Sequence, residues 1–126
     1  MLRFLLPLII CALPSLPAHA EKLTREEVVA QNVAIALDVQ NQLLACWSLP
    51  SGYAGRTVSV RLAFFGDGQL DGEPALEIDS ILTAQKYPVL MRSIARAIET
   101  CLPFAGLEAL GAGPSERFDI TVHFQS

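Results

Sequence analysis

Behind Thr24 the chain carries apolar residues at helical spacing. Val29, Val33, Ala36, Leu37, Leu44 and Trp47 fall on one stripe, and Gln31, Asn32, Asp38 and Gln42 occupy the remainder. Thr24 followed by Glu27 has the form of a capping box, in which hydroxyl and carboxylate satisfy free backbone donors at a helix start. The pattern predicts a long helix ending near Cys46, before the breaker cluster Leu49-Pro50-Ser51-Gly52. From Thr57 to Phe65 the period drops to two: Val58, Val60, Leu62 and Phe64 point one way, Thr57, Ser59, Arg61 and Ala63 the other. Gly66-Asp67-Gly68 then supplies the backbone freedom of a tight turn. A second strand is expected between Leu70 and Ile81, firmest over Ala75–Ile81, with Leu76 and Ile78 facing inward. Pro88 suits the first turn of a second helix, whose apolar face is Tyr87, Leu90, Met91, Ile94, Ile98 and Cys101. That helix closes near Leu102-Pro103. A Gly/Ala-rich loop leads to a last alternating strand, Phe118–Phe124.

The order helix, strand, strand, helix, strand, with one apolar face on every element, predicts an α+β fold. Two helices pack on one side of a three-stranded, mainly antiparallel sheet whose other side is wet.

The first residues change the picture of where this domain works. Arg3, an apolar run from Phe4 to about Leu16, Pro17 and Ala18-His19-Ala20 form the charge–core–small-residue order of a signal peptide, cleaved after Ala20. The run is interrupted by Pro7 and Pro14 and is shorter than the ~20 apolar residues a membrane span needs. Residues 21–126 are then one exported domain with no membrane span. It carries eight of the nine Lys and Arg and all thirteen Asp and Glu, a net charge of −5. That charge, without any Lys/Arg cluster, argues against a nucleic-acid partner. Cys46 and Cys101 are its two cysteines, and in an oxidising compartment such a pair reads as a disulfide joining two helix C-termini.

Candidate chemistry is sparse. His123 is the one histidine of residues 21–126, placed on the polar face of the last strand without a recognisable nucleophile motif, so no catalytic residue is assigned. Asp67, Asp71 and Glu73 supply three of the six or more oxygens calcium requires, and turn chemistry accounts for Asp67 and Asp71. No metal or cofactor is expected. Gly66-x-Gly68 precedes a strand and not a helix, so it is no phosphate cradle. Arg92 and Arg96, one helical turn apart, form a solvated face or a small anion patch.

Three segments carry a family likeness: Ala45-Cys46-Trp47-Ser48-Leu49-Pro50, Val58 to Gly72, and Ala97 to Phe104. With the closing strand they resemble the C-terminal domain of TolA, a relative of the TonB C-terminal domain, over roughly Gln40 to Phe124. The resemblance implies a periplasmic protein-interaction module in a cell-envelope complex, with Tol-Pal components among the candidate partners. The chain departs from TolA in lacking both a retained anchor and a long Ala/Lys/Glu-rich stalk. The final strand closes the chain without a proline, so its residues Asp119, Ile120, Thr121, Val122 and His123 are the candidate partner-binding edge. Two alternatives stand beside this reading. One is a small inhibitor that inserts the Gly66–Gly72 tip into an enzyme, and the other is a homo-oligomer paired through sheet edges.

Overall fold

The structure, a computed structural model, describes residues 23–126. The expected leader, residues 1–20, lies outside the described residues. Helix α1 spans Arg25–Cys46, strand β1 Thr57–Phe65, strand β2 Ala75–Leu76, helix α2 Ile81–Lys86, helix α3 Pro88–Cys101 and strand β3 Arg117–Gln125. The fold is α+β, with an antiparallel sheet in the order β2-β1-β3. Among the described residues no helix is long and apolar enough to cross a membrane.

The sheet is built mainly on one ladder. β1 and β3 pair over nine residues, from Thr57 opposite Gln125 to Phe65 opposite Arg117. Their inward side chains, Val58, Val60, Leu62, Phe64, Phe118, Val122 and Phe124, are all buried. Phe64 stacks on Phe118 at 5.6 Å between ring centroids and meets Phe104 edge-on at 5.4 Å. Leu90, Ile94, Ala97 and Ile98 of α3 close the core from the helical layer.

Helix α1 begins as its sequence indicates, with Glu27 N–H donating to Thr24 Oγ1 at 3.2 Å. The face it buries is not the expected stripe. Ile35, Val39 and Leu43 are fully buried, whereas Val29, Val33 and Leu37 stand 56%, 53% and 56% exposed. The helix carries two apolar stripes, and the disulfide decides between them. Cys46 must face Cys101 on α3, and positions three, seven and eleven residues earlier on that face are Leu43, Val39 and Ile35. Truncating Leu43 to Ala is expected to cost about 2–5 kcal/mol, the range for a buried leucine. Truncating Leu37 to Ala on the same helix should change stability by less than about 0.5 kcal/mol. Urea denaturation of the two variants checks both values, and equal losses would contradict this orientation of α1.

The second strand is also shorter than expected. β2 keeps only Ala75–Leu76, and the chain then turns through a 3-10 turn, Ile78–Ser80, into α2, which the alternation did not reveal. Ile78, expected to point inward, is 87% exposed. Asp79 and Ser80 favour turns over strands because their side chains compete for local backbone groups. Ser80 shows that competition directly. Its Oγ accepts the Ser59 N–H of β1 at 2.8 Å, in the place where a longer β2 would offer a carbonyl.

Candidate functional site

The direction of each backbone group along β3 follows from β1. Ser59 uses both of its backbone groups on the β2 side: its N–H goes to Ser80, and its carbonyl accepts from Glu77 N–H at 3.0 Å. Groups alternate sides along an antiparallel strand, so Val58, Val60, Leu62 and Phe64 make the ladder with Phe124, Val122, Ile120 and Phe118. The N–H and C=O groups of Arg117, Asp119, Thr121, His123 and Gln125 therefore point away from the sheet, along its outer edge. Of the five residues expected to bind a partner, Asp119, Thr121 and His123 turn their backbone outward. Ile120 and Val122 give theirs to β1, and the Val122 side chain is fully buried.

Helix α1 stands beside this edge and shapes it. Gln40 Oε1 accepts the His123 N–H at 3.4 Å, so this donor of the edge already has a partner. Toward Arg117 the helix leaves a cleft of about 350 Å³, bounded by Asn32, Val33 and Ala36 on one wall and by residues 117–121 on the other. Val33, from the apolar stripe that α1 withholds from the core, lines this cleft. The outward N–H and C=O groups of Asp119 and Thr121 therefore lie next to exposed methyl groups. Reading β3 alone marks it as a candidate edge, and the order β2-β1-β3 places it there. The second wall becomes visible only when α1 is oriented by Cys46.

The outer face of the sheet is polar and ion-paired. Arg117 Nε meets Asp71 Oδ2 at 2.6 Å, and that hydrogen bond, with the nearby carboxylate charges, raises the guanidinium pKa above its ordinary value. Arg61 lies 3.4 Å from Glu77. Asp119 sits between the two arginines at 4.0 and 3.9 Å. Thr121 Oγ1 donates to Glu77 Oε1 at 3.1 Å. Asp71 is thus an ion-pair partner of β3, and Asp67 Oδ1 accepts the Gln69 N–H at 3.0 Å as a turn residue. Arg92 and Arg96 are both exposed, on the rim of a shallow depression beside Ser48 and Pro50.

His123 has a partner that its position in the sequence did not suggest. Ser59 Oγ and His123 Nδ1 are 2.7 Å apart, in register across β1 and β3. Ser59 is buried in mid-strand, its N–H bonded to Ser80. In a serine hydrolase the imidazole receives the proton through Nε2 while an acid orients Nδ1. Here Nδ1 is the ring nitrogen that meets the serine, and the two residues form a hydrogen bond across the strands. Alternation puts both residues on polar faces, but the register that makes them meet joins two strands with β2, α2 and α3 between them, so it carried no local signal.

The hairpin tip, the inserting element of the inhibitor alternative, is tied down. Gly66 N–H donates to Glu116 O at 2.8 Å, and Gly68 O accepts from Phe104 N–H at 3.0 Å. Gly66 and Gly68 are buried, and Leu70 packs on the core. Asp67, Gln69 and Gly72 are the exposed residues of this tip.

The family model described as Uncharacterised conserved protein UCP034077 matches residues 29–126. The match takes in β1, β2, α2, α3 and β3 and all but the first turn of α1. No curated protein and no solved structure matches the chain.

Proposed function

We propose that this chain, which belongs to the UCP034077 family, is an exported cell-envelope binding module that accepts an extended segment of a partner protein on the outer edge of β3. One observation carries the reading. A nine-residue edge strand directs the backbone groups of Asp119 and Thr121 into an open cleft whose far wall is the exposed Val33 of α1. Unpaired strand edges are a liability that proteins ordinarily blunt with proline, bulges or covering elements. β3 has no proline, pairs with β1 without a bulge, and is covered only in part, at His123. Strand addition uses such an edge for main-chain hydrogen bonds and the flanking pocket for side-chain selection.

Export is supported by the leader pattern of residues 1–20 and by the Cys46–Cys101 disulfide, a bond that persists in oxidising compartments. The likeness to TolA's C-terminal domain supports a periplasmic setting, with Tol-Pal components as first candidates. Binding is the whole of the proposed activity; the reading assigns no catalytic step.

Thr121→Pro is the test. The Thr121 N–H faces the cleft and not β1, so proline removes an edge donor while leaving the β1–β3 ladder intact, as edge positions permit. The variant is expected to fold, with a circular dichroism spectrum like that of wild type, and to lose at least tenfold in partner affinity. The exported protein, tagged at its C-terminus, is recovered from native periplasm beside the variant, and co-purifying proteins are quantified by mass spectrometry. Partners retained equally by a folded Thr121→Pro protein would refute the edge as the binding surface.

A further inference from the structure

We infer that the segment accepted by β3 is of alternating character, with aliphatic side chains facing α1 and cationic side chains facing Asp119. The inference rests on the reading of β3 as a binding edge and adds the chemistry of what binds there.

A strand added to β3 lies about 4.8 Å from it and sends every second side chain to the helical side of the sheet. On that side the cleft wall is Val33 and Ala36, with half-buried Ile120 as its floor. These are methyl-bearing surfaces, and Val33 is more than half exposed. An aliphatic side chain placed there removes apolar area from water on both partners. A charged one would be desolvated with no counter-charge.

The intervening side chains of the added strand face the polar side, beside Arg117, Asp119 and Thr121. Arg117 is already committed to Asp71 at 2.6 Å, and Arg61 lies closer to Glu77, at 3.4 Å, than to Asp119. Asp119 has its two arginines only at 3.9 and 4.0 Å and is about half exposed. It is the one carboxylate of β3, and its ion pairs are longer than those of Asp71 and Glu77. A lysine or arginine opposite or diagonal to it on an added strand is within about 5–8 Å at the backbone and reaches it with its side chain. The net charge of −5 over residues 21–126 acts in the same direction at longer range.

A second copy of the chain fits this edge poorly. α1 packs against β3, as the Gln40–His123 contact shows. Edge-to-edge pairing of two copies would bring both α1 helices to the same seam, beside the paired strands. A single extended segment carries no such helix.

The probe is a capped peptide, Lys-Val-Lys-Val-Thr-Val-Lys-Val-Lys, against its analogue with Glu at every Lys position. Binding to the disulfide-intact exported protein is followed by amide chemical shifts. The Lys peptide is expected to shift Asp119, Thr121 and the Val33 methyls, and the Glu peptide to bind at least tenfold more weakly. Asp119→Lys should invert that preference, and Val33→Asp should weaken the Lys peptide tenfold with its melting temperature unchanged. Equal affinities for both peptides at β3 overturn the charge inference and leave the edge reading standing. No shift at Asp119 and Thr121 with millimolar peptide overturns the inference, while the native-periplasm recovery still decides the edge reading. Peptide binding that Thr121→Pro leaves intact removes both readings. Self-association abolished by Thr121→Pro would instead assign the edge to a second copy.

Discussion

Reducing the Cys46–Cys101 disulfide is expected to lower the unfolding free energy by about 4 kcal/mol. The bond joins residues 55 apart, and the loop-closure model gives about that value for a loop of this length. Its position makes the loss consequential, because it ties the last residue of α1 to the last residue of α3. The connection between the two helices in sequence is the entire β1–β2–α2 segment, so an unfolded chain without the bond gains much freedom. Next to the bond, Trp47 Nε1 donates to Ser93 Oγ at 3.0 Å, and the indole meets Phe124 edge-on at 5.4 Å. Those contacts align α1 with α3 and β3 after reduction but do not restrict the unfolded state. Domains of this size have about 5–15 kcal/mol in total, so the reduced protein should be marginal. Guanidinium unfolding with and without reductant, and of the Cys46→Ser/Cys101→Ser double variant, measures the difference. A loss under about 1 kcal/mol would mean that packing alone holds the helices together. The same dependence supports the proposal of an oxidising compartment, where the bond is maintained.

Gly68→Ala is expected to destabilise by about 2–5 kcal/mol, and Gly72→Ala by only about 1–2 kcal/mol. Both glycines have positive φ, 88° and 82°, so an alanine at either position bears a similar backbone strain. They differ in surroundings. A Cβ at Gly72 meets nothing within 4 Å, whereas at Gly68 it would strike the backbone oxygen and nitrogen of Phe104. That approach is what lets Phe104 N–H reach Gly68 O and seats the Phe104 ring, 2% exposed, against Phe64. Backbone cannot yield as a flexible side chain does, so the whole segment from Pro103 would have to move. Thermal melts of the two variants separate strain from collision. Equal shifts would show that the loop carrying Phe104 moves freely.

The strands were legible because their signal is local. Val58, Val60, Leu62 and Phe64 alternate with residues that stay on the polar face, as do Phe118, Val122 and Phe124, and a one-residue slip would reverse both sets. α3 was equally clear, since Leu90, Ile94 and Ile98 form a single apolar stripe opposite charges. α1 offered two stripes of similar character. Spacing along the helix states that Val29, Val33 and Leu37 share a face, and equally that Ile35, Val39 and Leu43 do. Only the pairing of Cys46 with Cys101, which puts Cys46 on the second of these faces, tells them apart. Ile78 misled for a related reason. Its alternation with Leu76 fits a strand, but Ser80 satisfies β1 from a turn, and the chain leaves the sheet before Ile78 can be buried.

The binding edge shows the same division. Periodicity, turn residues and the Cys46–Cys101 pair are properties of the chain read along its length, and they determined the α+β class, the faces of β1 and β3 and the staple between the helices. Which strand lies at the edge, which of its residues turn their backbone outward and which wall stands beside them are relations between distant segments. The order β2-β1-β3 leaves β3 with an open side. The length of β2 and the position of Ser80 fix the parity of Asp119 and Thr121 through Ser59. The rotation of α1 about its axis sets Val33 against the cleft and Gln40 against His123. Each of these depends on a through-space partner, because burial and hydrogen bonding are settled by what arrives opposite a residue and not by its neighbours in the chain.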